Sequence, residues 1–280
     1  MPLLDIKELE QMAPIFRGKA GNILAKGLMK FLSVDRLNSL YDRNSHLRGV
    51  EFADAVLKDV GLEYSIGYEP EAPDSLEELL PSGPFITVSN HPCGHLDGVA
   101  LVNLIGDVRP DYKVMVNKIL GRIETMSDHF IQVVPTGAER TAATAESVAG
   151  IKAALRHLRS GGALGLFPSG AVSDLHLPSF EVRDREWQEP VIKLIAKAQV
   201  PIVPIRFFDG NSPLYYSLGL IDWRVRLLRL PSEVFNKKGK PFRIGIGQVI
   251  SVDQQRPFVS DPNLFRSFLR SSVYDMEIGM

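Results

Sequence analysis

Cysteine is almost missing: Cys93 stands alone in 280 residues. One thiol excludes an intrachain disulfide and fits a reducing compartment. Net charge is missing too, at −1 formally, and with ordinary hydrophobic content this argues against a disordered chain and against a nucleic-acid binder. No apolar run is long enough to span a bilayer and no signal peptide is evident, so any contact with lipid is expected at its surface. Repeats and low-complexity segments are absent. So are G-x-S-x-G, the elbow of a serine nucleophile, and H-E-x-x-H, the helical zinc motif. An acyl-enzyme on serine is therefore not expected.

What is present concentrates between Phe85 and Gly98, F-I-T-V-S-N-H-P-C-G-H-L-D-G. Phe85, Ile86, Thr87 and Val88 suit a buried strand. Asn90, Pro92 and Gly94 break it, and Asp97 precedes the apolar run Val99–Val102 as a helix N-cap or first-turn residue does. Strand, polar elbow and helix make the arrangement that places ligands beyond the carboxyl end of a strand in open α/β sheets.

Elsewhere the spacing predicts helices over Gly18–Leu32 and Glu51–Val60, with a proline-rich linker over Glu69–Pro84. The first is amphipathic, with Ile23, Leu24, Leu28 and Phe31 near one face and Lys19, Lys26 and Lys30 on the other, a pattern suited either to an interfacial helix or to packing on a core. Basic residues dominate from Met12 to Val50 and acidic ones from Glu51 to Ser82. Strands are expected over Tyr112–Asn117, Phe130–Val134, Ala163–Phe167, Val200–Phe208 and Phe242–Ser251. Helices are expected over Thr141–Arg159, Val191–Ala198 and Leu264–Tyr274. The two prolines of Val200–Phe208 argue for an edge or strand-start position. Alternating strands and helices predict an α/β fold with a largely parallel central sheet flanked by helices, after an N-terminal helical segment.

Three readings compete for the elbow. A metal could take His91, Cys93 and His95, but Pro92 and Gly94 disfavour the extended strand this needs. Cys93 could be a nucleophile with a neighbouring histidine as base, or inert packing. Finally, His91 could be a general base oriented by Asp97, or a satisfied histidine in a capped turn. A second elbow, Phe167-Pro168-Ser169-Gly170-Ala171-Val172-Ser173, also follows a predicted strand, so two strand-end loops could converge on one cleft.

Together, N-H-P-x-G-x-x-D-G, F-P-S-G and Val200-Pro201-Ile202-Val203-Pro204-Ile205 resemble, in order, the blocks of the glycerolipid acyltransferase family. The likeness covers most of Gly83–Ser251 and is greatest to the bacterial branch called hemolysin-like, which includes enzymes acylating lyso forms of amino-acid lipids. It implies a glycerol-3-phosphate acyltransferase-like fold, with residues 1–82 a helical, membrane-contacting segment and linker and 83–280 the catalytic domain. It implies His91 and Asp97 as catalytic dyad, and Asn90, Gly94, Phe167, Pro168, Ser169, Gly170 and Ser173 as substrate-binding, with main-chain N–H groups near Gly94 and Ser169-Gly170 as oxyanion donors. No metal or cofactor is implied. The expected partners are an acyl thioester donor on coenzyme A or acyl carrier protein, a lyso-lipid acceptor, and the inner face of the cytoplasmic membrane.

Two departures from the family matter, the first for the dyad and the second for the acceptor. Five residues separate His91 from Asp97, where the family usually has four. Ser169 replaces the glutamate of F-P-E-G, Val172 replaces a following arginine, and Phe130–Pro135 lacks another. A phosphate in a partly dry cleft needs charge-assisted partners, so the missing arginines favour a lyso-amino-acid lipid as acceptor. The alternatives are a 1-acylglycerol-3-phosphate O-acyltransferase, with Arg122, Arg140 or Arg183 supplying the charge, a non-catalytic lipid-binding protein on the same fold, and a hydrolase.

Overall fold

The structure, a computed structural model, describes residues 18–133 and 145–279. Helices α1 (Gly18–Phe31), α2 (Val34–Asn44) and α3 (Gly49–Val60) come first. Then follow β1 (Ser65–Tyr68), the single turn α4 (Leu76–Leu79), β2 (Phe85–Ser89) and α5 (His95–Gly106). Next come β3 (Lys113–Asn117), β4 (Phe130–Val133), α6 (Ala145–Arg159) and β5 (Ala163–Leu166). A small hairpin, β6 (Asp174–His176) and β7 (Glu181–Arg183), leads to α7 (Glu189–Ala198) and β8 (Ile202–Phe207). The chain ends with α8 (Pro213–Ile221), α9 (Trp223–Phe235), β9 (Arg243–Ile246), α10 (Val252–Gln255) and α11 (Pro262–Tyr274). Val134, Pro135, Arg140 and the expected start of α6 at Thr141 lie outside the described residues.

Seven strands form one sheet in the order β1-β9-β8-β2-β5-β3-β4, parallel except between β8 and β9. Parallel strands are buried on both sides and read as continuous apolar runs, and every residue of β2 is buried. Phe85, Val203, Ile205 and Phe207 face a core shared with α2, α3 and α5. Ile86, Val88, Leu164 and Leu166 face the opposite core, under α6, α7 and α11. Val88 is in register with Leu166 on one side and Pro204 on the other, so the carboxyl ends of the neighbouring strands β2 and β5 lie side by side. The two glycine-containing elbows leave from those ends.

One expectation is corrected, and two features are added to the rest. β8 is central, paired with both β2 and β9, despite its proline. Pro204 is tolerated because it falls between the isolated Ile202–Ile250 bridge and the β9 ladder that starts at Ile205, so no ladder N–H is required of it there. Residues before Gly83 share a core with those after it. β1 pairs in parallel with β9, and Leu40, Phe52 and Leu57 pack in the same core as Phe85 and Ile205. Finally, β6–β7 and the helix pair α8–α9 are additional to the expected elements. Ser212 and Pro213 announce α8: the serine hydroxyl caps the main-chain N–H of Tyr215, and Pro213 takes the first helical position.

Candidate active site

His91 lies in the turn between β2 and α5, and Asp97 is the third residue of α5. Gly94 caps the helix at φ 74°, a conformation that L side chains rarely adopt. A Cβ there would also come within 3.2 Å of both Leu230 and Val172. The Asp97 side chain is fully buried. Its Oδ2 accepts the main-chain N–H of Cys93 (2.9 Å) and of Gly94 (3.0 Å), two donors that a helix start leaves without intrahelical partners. The same oxygen sits 3.0 Å from Nδ1 of His91. The turn therefore absorbs the five-residue spacing and brings the pair together. The contact is close but short of an aligned hydrogen bond, and Asp97 Oδ1 has no partner among the described residues. Catalytic pairs often tighten only when substrate is bound.

The second elbow wraps His91. Phe167 stacks on the imidazole with ring centroids 4.0 Å apart and planes at 29°. Ser173 donates its N–H to the His91 carbonyl (2.9 Å), and His91 donates its own N–H to Asp184 Oδ1 (3.1 Å). Asp184 is 1% exposed. It also accepts from Ser173 Oγ (2.6 Å) and Trp187 Nε1 (3.0 Å), while Tyr274 Oη accepts its N–H (2.7 Å). Burial raises the pKa of Asp184, against the lowering effect of these donors. His95 is held down at about 4, first by desolvation and then by the neighbouring His91, so it is neutral near pH 7.

Other expected site residues are engaged by the protein itself. The Asn90 amide bonds both ways to the main chain of Phe207, donating to its carbonyl (2.8 Å) and accepting its N–H (2.7 Å). Of the main-chain groups near Gly94 and Ser169-Gly170, the Gly94 N–H is held by Asp97 and the Gly170 N–H by the Phe167 carbonyl (2.9 Å). Ser169 Oγ donates to the Ala171 carbonyl (2.8 Å), and the Pro168 carbonyl accepts the Gln188 N–H (2.9 Å). Cys93 is buried, with Sγ between the Asp209 carbonyl and the Lys237 ammonium. Burial, then the charge of Asp97, pushes its thiol well up, which removes the thiolate that a nucleophile needs.

A sequence profile described as Acyltransferase matches residues 10–270. The chain belongs to that family. A curated relative, the lyso-glycine lipid O-acyltransferase of Bacteroides thetaiotaomicron, is 25% identical over 89% of this chain and 88% of its own. The enzyme of the same name from Phocaeicola vulgatus is 24% identical over 96% and 94%. Among solved structures, the 1-acyl-sn-glycerophosphate (LPA) acyltransferase PlsC of Thermotoga maritima is similar at a TM-score of 0.46 and 15% identity, over 91% of this chain and 93% of that one.

In this acyltransferase one arginine named as a stand-in, Arg140, lies outside the described residues. Arg183 pairs with Glu181 (3.1 Å) and lies over the Tyr274 ring. An arginine that sequence reasoning missed does reach the second elbow. Arg226, on α9, is 2% exposed and donates to the carbonyls of Val172 and Ser173 (2.9 Å each), beside an ion pair with Asp174 (2.6 Å). Its charge serves the loop's main chain. Asp184 was missed as well, because it lies 93 positions from His91 and no local pattern links the two.

Proposed function

We propose that this acyltransferase moves a fatty acyl group from a thioester to the hydroxyl of a lyso-amino-acid lipid, in membrane lipid biosynthesis. The observation that carries the mechanism is the approach of His91 Nδ1 to the buried Asp97 carboxylate at 3.0 Å, which leaves Nε2 as the nitrogen for the acceptor. His91 takes the hydroxyl proton as the oxygen attacks the thioester carbonyl. The C–S bond then breaks, and the departing thiolate takes the proton back from the imidazolium. Asp97 holds the tautomer and offsets the positive charge, as the carboxylate of a serine-protease triad does. Phe167 fixes the ring plane by stacking.

Two observations support the acceptor class. Both curated relatives carry the name lyso-glycine lipid O-acyltransferase, and Ser169 and Val172 stand where the resembled family carries a glutamate and an arginine. The donor is acyl-CoA or acyl carrier protein, and the enzyme works peripherally at the inner face of the cytoplasmic membrane. No helix among the described residues is long and apolar enough to cross a bilayer. The test is a head-to-head assay of the purified protein, with each thioester carrier, on a lyso-glycine lipid, on lysophosphatidic acid and without acceptor. We expect the lyso-glycine lipid to be preferred. Preference for lysophosphatidic acid overturns the headgroup, and acceptor-independent thioester cleavage overturns transfer.

A further inference from the structure

The helix pair α8–α9 stands against the catalytic elbow with its inner side filled. Tyr215, Tyr216 and Leu230 pack with Val172. Tyr216 Oη donates to the Pro92 carbonyl (2.8 Å), one residue after His91, and Leu230 borders Gly94. Arg226 ties the pair to the second elbow. The hairpin is thus fixed to the site.

Its outer side is apolar and bare. Leu220, Ile221, Trp223, Val225, Leu227 and Leu228 are each at least 38% exposed, and Ile221 and Trp223, flanking the one-residue turn at Asp222, reach 78% and 43%. With Leu214 they make up half of the exposed large hydrophobic side chains among the described residues. Scattered exposed leucines are ordinary, but a contiguous set on one supersecondary unit marks an interaction surface. A tryptophan at the tip suits a boundary between hydrocarbon and water.

Charge narrows the choice of partner. Ser232 Oγ donates to the Leu32 carbonyl (3.2 Å), which seats α9 against the end of α1, and the Arg36 guanidinium lies 4.0 Å over the Phe235 ring. That flank exposes Lys26 and Lys30 together with Ile23 and Phe31, and α1 contains no acidic residue. An anionic headgroup layer over hydrocarbon complements both features.

We propose that the outer face of the α8–α9 hairpin docks on an anionic lipid surface, with α1 as its basic flank, and so holds the catalytic elbow over the layer from which the acceptor comes. The inference rests on the lyso-lipid acceptor proposed above. It makes the hairpin, in the second half of the chain, the principal membrane element and gives α1 the supporting role.

The experiment is flotation of the full chain with vesicles of phosphatidylcholine and phosphatidylglycerol in equal parts. Turnover is measured in parallel on a short-chain lyso-lipid kept below its micelle concentration. Ile221→Glu with Trp223→Glu should lower vesicle affinity by roughly a hundredfold, since each side chain leaves a hydrocarbon contact, with turnover on the monodisperse acceptor and the melting temperature unchanged. Leu227→Glu with Leu228→Glu should act in the same way, and added salt should weaken wild-type binding. Wild type that does not float, or double variants that float as wild type does, overturns the proposal. So does a wild-type dimer that these substitutions dissociate, or retention on immobilised acyl carrier protein lost in the variants while flotation persists. Failure on the monodisperse acceptor in wild type would instead refute the acyl-transfer reading, because that assay needs no membrane.

Discussion

Replacing Asp97 by asparagine tests the dyad without dismantling the elbow. One carboxylate oxygen has two tasks: Oδ2 accepts the N–H groups of Cys93 and Gly94 and also faces His91 Nδ1. In Asp97→Asn the amide oxygen can keep the two main-chain bonds, while the new NH2 takes the place of Oδ1, which has no partner to lose. What disappears is negative charge beside the imidazolium of the transition state. Two unit charges about 4 Å apart at an effective dielectric constant of about 20 interact by roughly 4 kcal/mol. At about 1.4 kcal/mol per tenfold in rate, kcat should fall by roughly a hundred- to a thousandfold. Asp97→Ala is a different experiment. It strands two buried N–H groups at about 1–3 kcal/mol each, and should lower the melting temperature as well as the rate. The assay is thiol release from an acyl thioester at saturating lyso-lipid, alongside a thermal melt. Wild-type turnover in a folded Asp97→Asn protein would refute the charge-stabilisation argument.

Three further outcomes follow from the geometry. His91→Ala should lower kcat by about a hundred- to ten-thousandfold with little change in melting temperature, because the main-chain bonds of residue 91 to Ser173 and Asp184 remain; retained turnover would remove the base assignment. Asp184→Asn should destabilise by about 1–3 kcal/mol, since an NH2 must then face the N–H of Trp187 or the donors from His91 and Ser173; an unchanged denaturation midpoint would show that the network does not hold the elbow. His95 has a folded-state pKa of about 4 against an ordinary value of 6.5, so the unfolded chain binds the proton first. Its contribution to stability is full above about pH 6.5 and is lost as pH falls towards 4; denaturation midpoints across that range should slope less in His95→Gln, and equal slopes would contradict the shift.

The approach of His91 to Asp97 was legible because it is local. A buried β-branched run, a glycine break and an acid three residues into the next helix are all read within fourteen letters, and the parallel sheet follows from strands alternating with helices. What escaped was non-local or inverted. β1 is four residues, two of them exposed, with a glycine among them, so periodicity could not separate it from linker; only its ladder with β9 defines it. Pro204 was read as an edge signal because the gap in the β9 ladder is a property of the partner strand. In α8–α9 an apolar pattern carries its large side chains outward, and hydrophobicity alone does not say which face meets the protein.

The residues around His91 also show how an irregular turn satisfies its own main chain. The family resemblance implies Asn90, Gly94, Gly170 and Ser173 as substrate-binding residues. In the structure their donors and acceptors close on main chain or on Asp184 and Asp97. A strand-end turn has many main-chain groups with no ladder or helix to satisfy them, and leaving one buried and unpaired costs as much as a lost hydrogen bond. Short polar side chains and glycine satisfy those groups at the tightest spacing, so they gather wherever a reactive side chain must stand on an irregular backbone. Their presence measures how firmly His91 is held. Phe167 stacks on its ring, Val172 and Leu230 lie against Gly94, and Arg226 is bound to the loop's own carbonyls. The low-charge acceptor proposed above, carried on an acyl chain, would meet such apolar neighbours without an uncompensated desolvation.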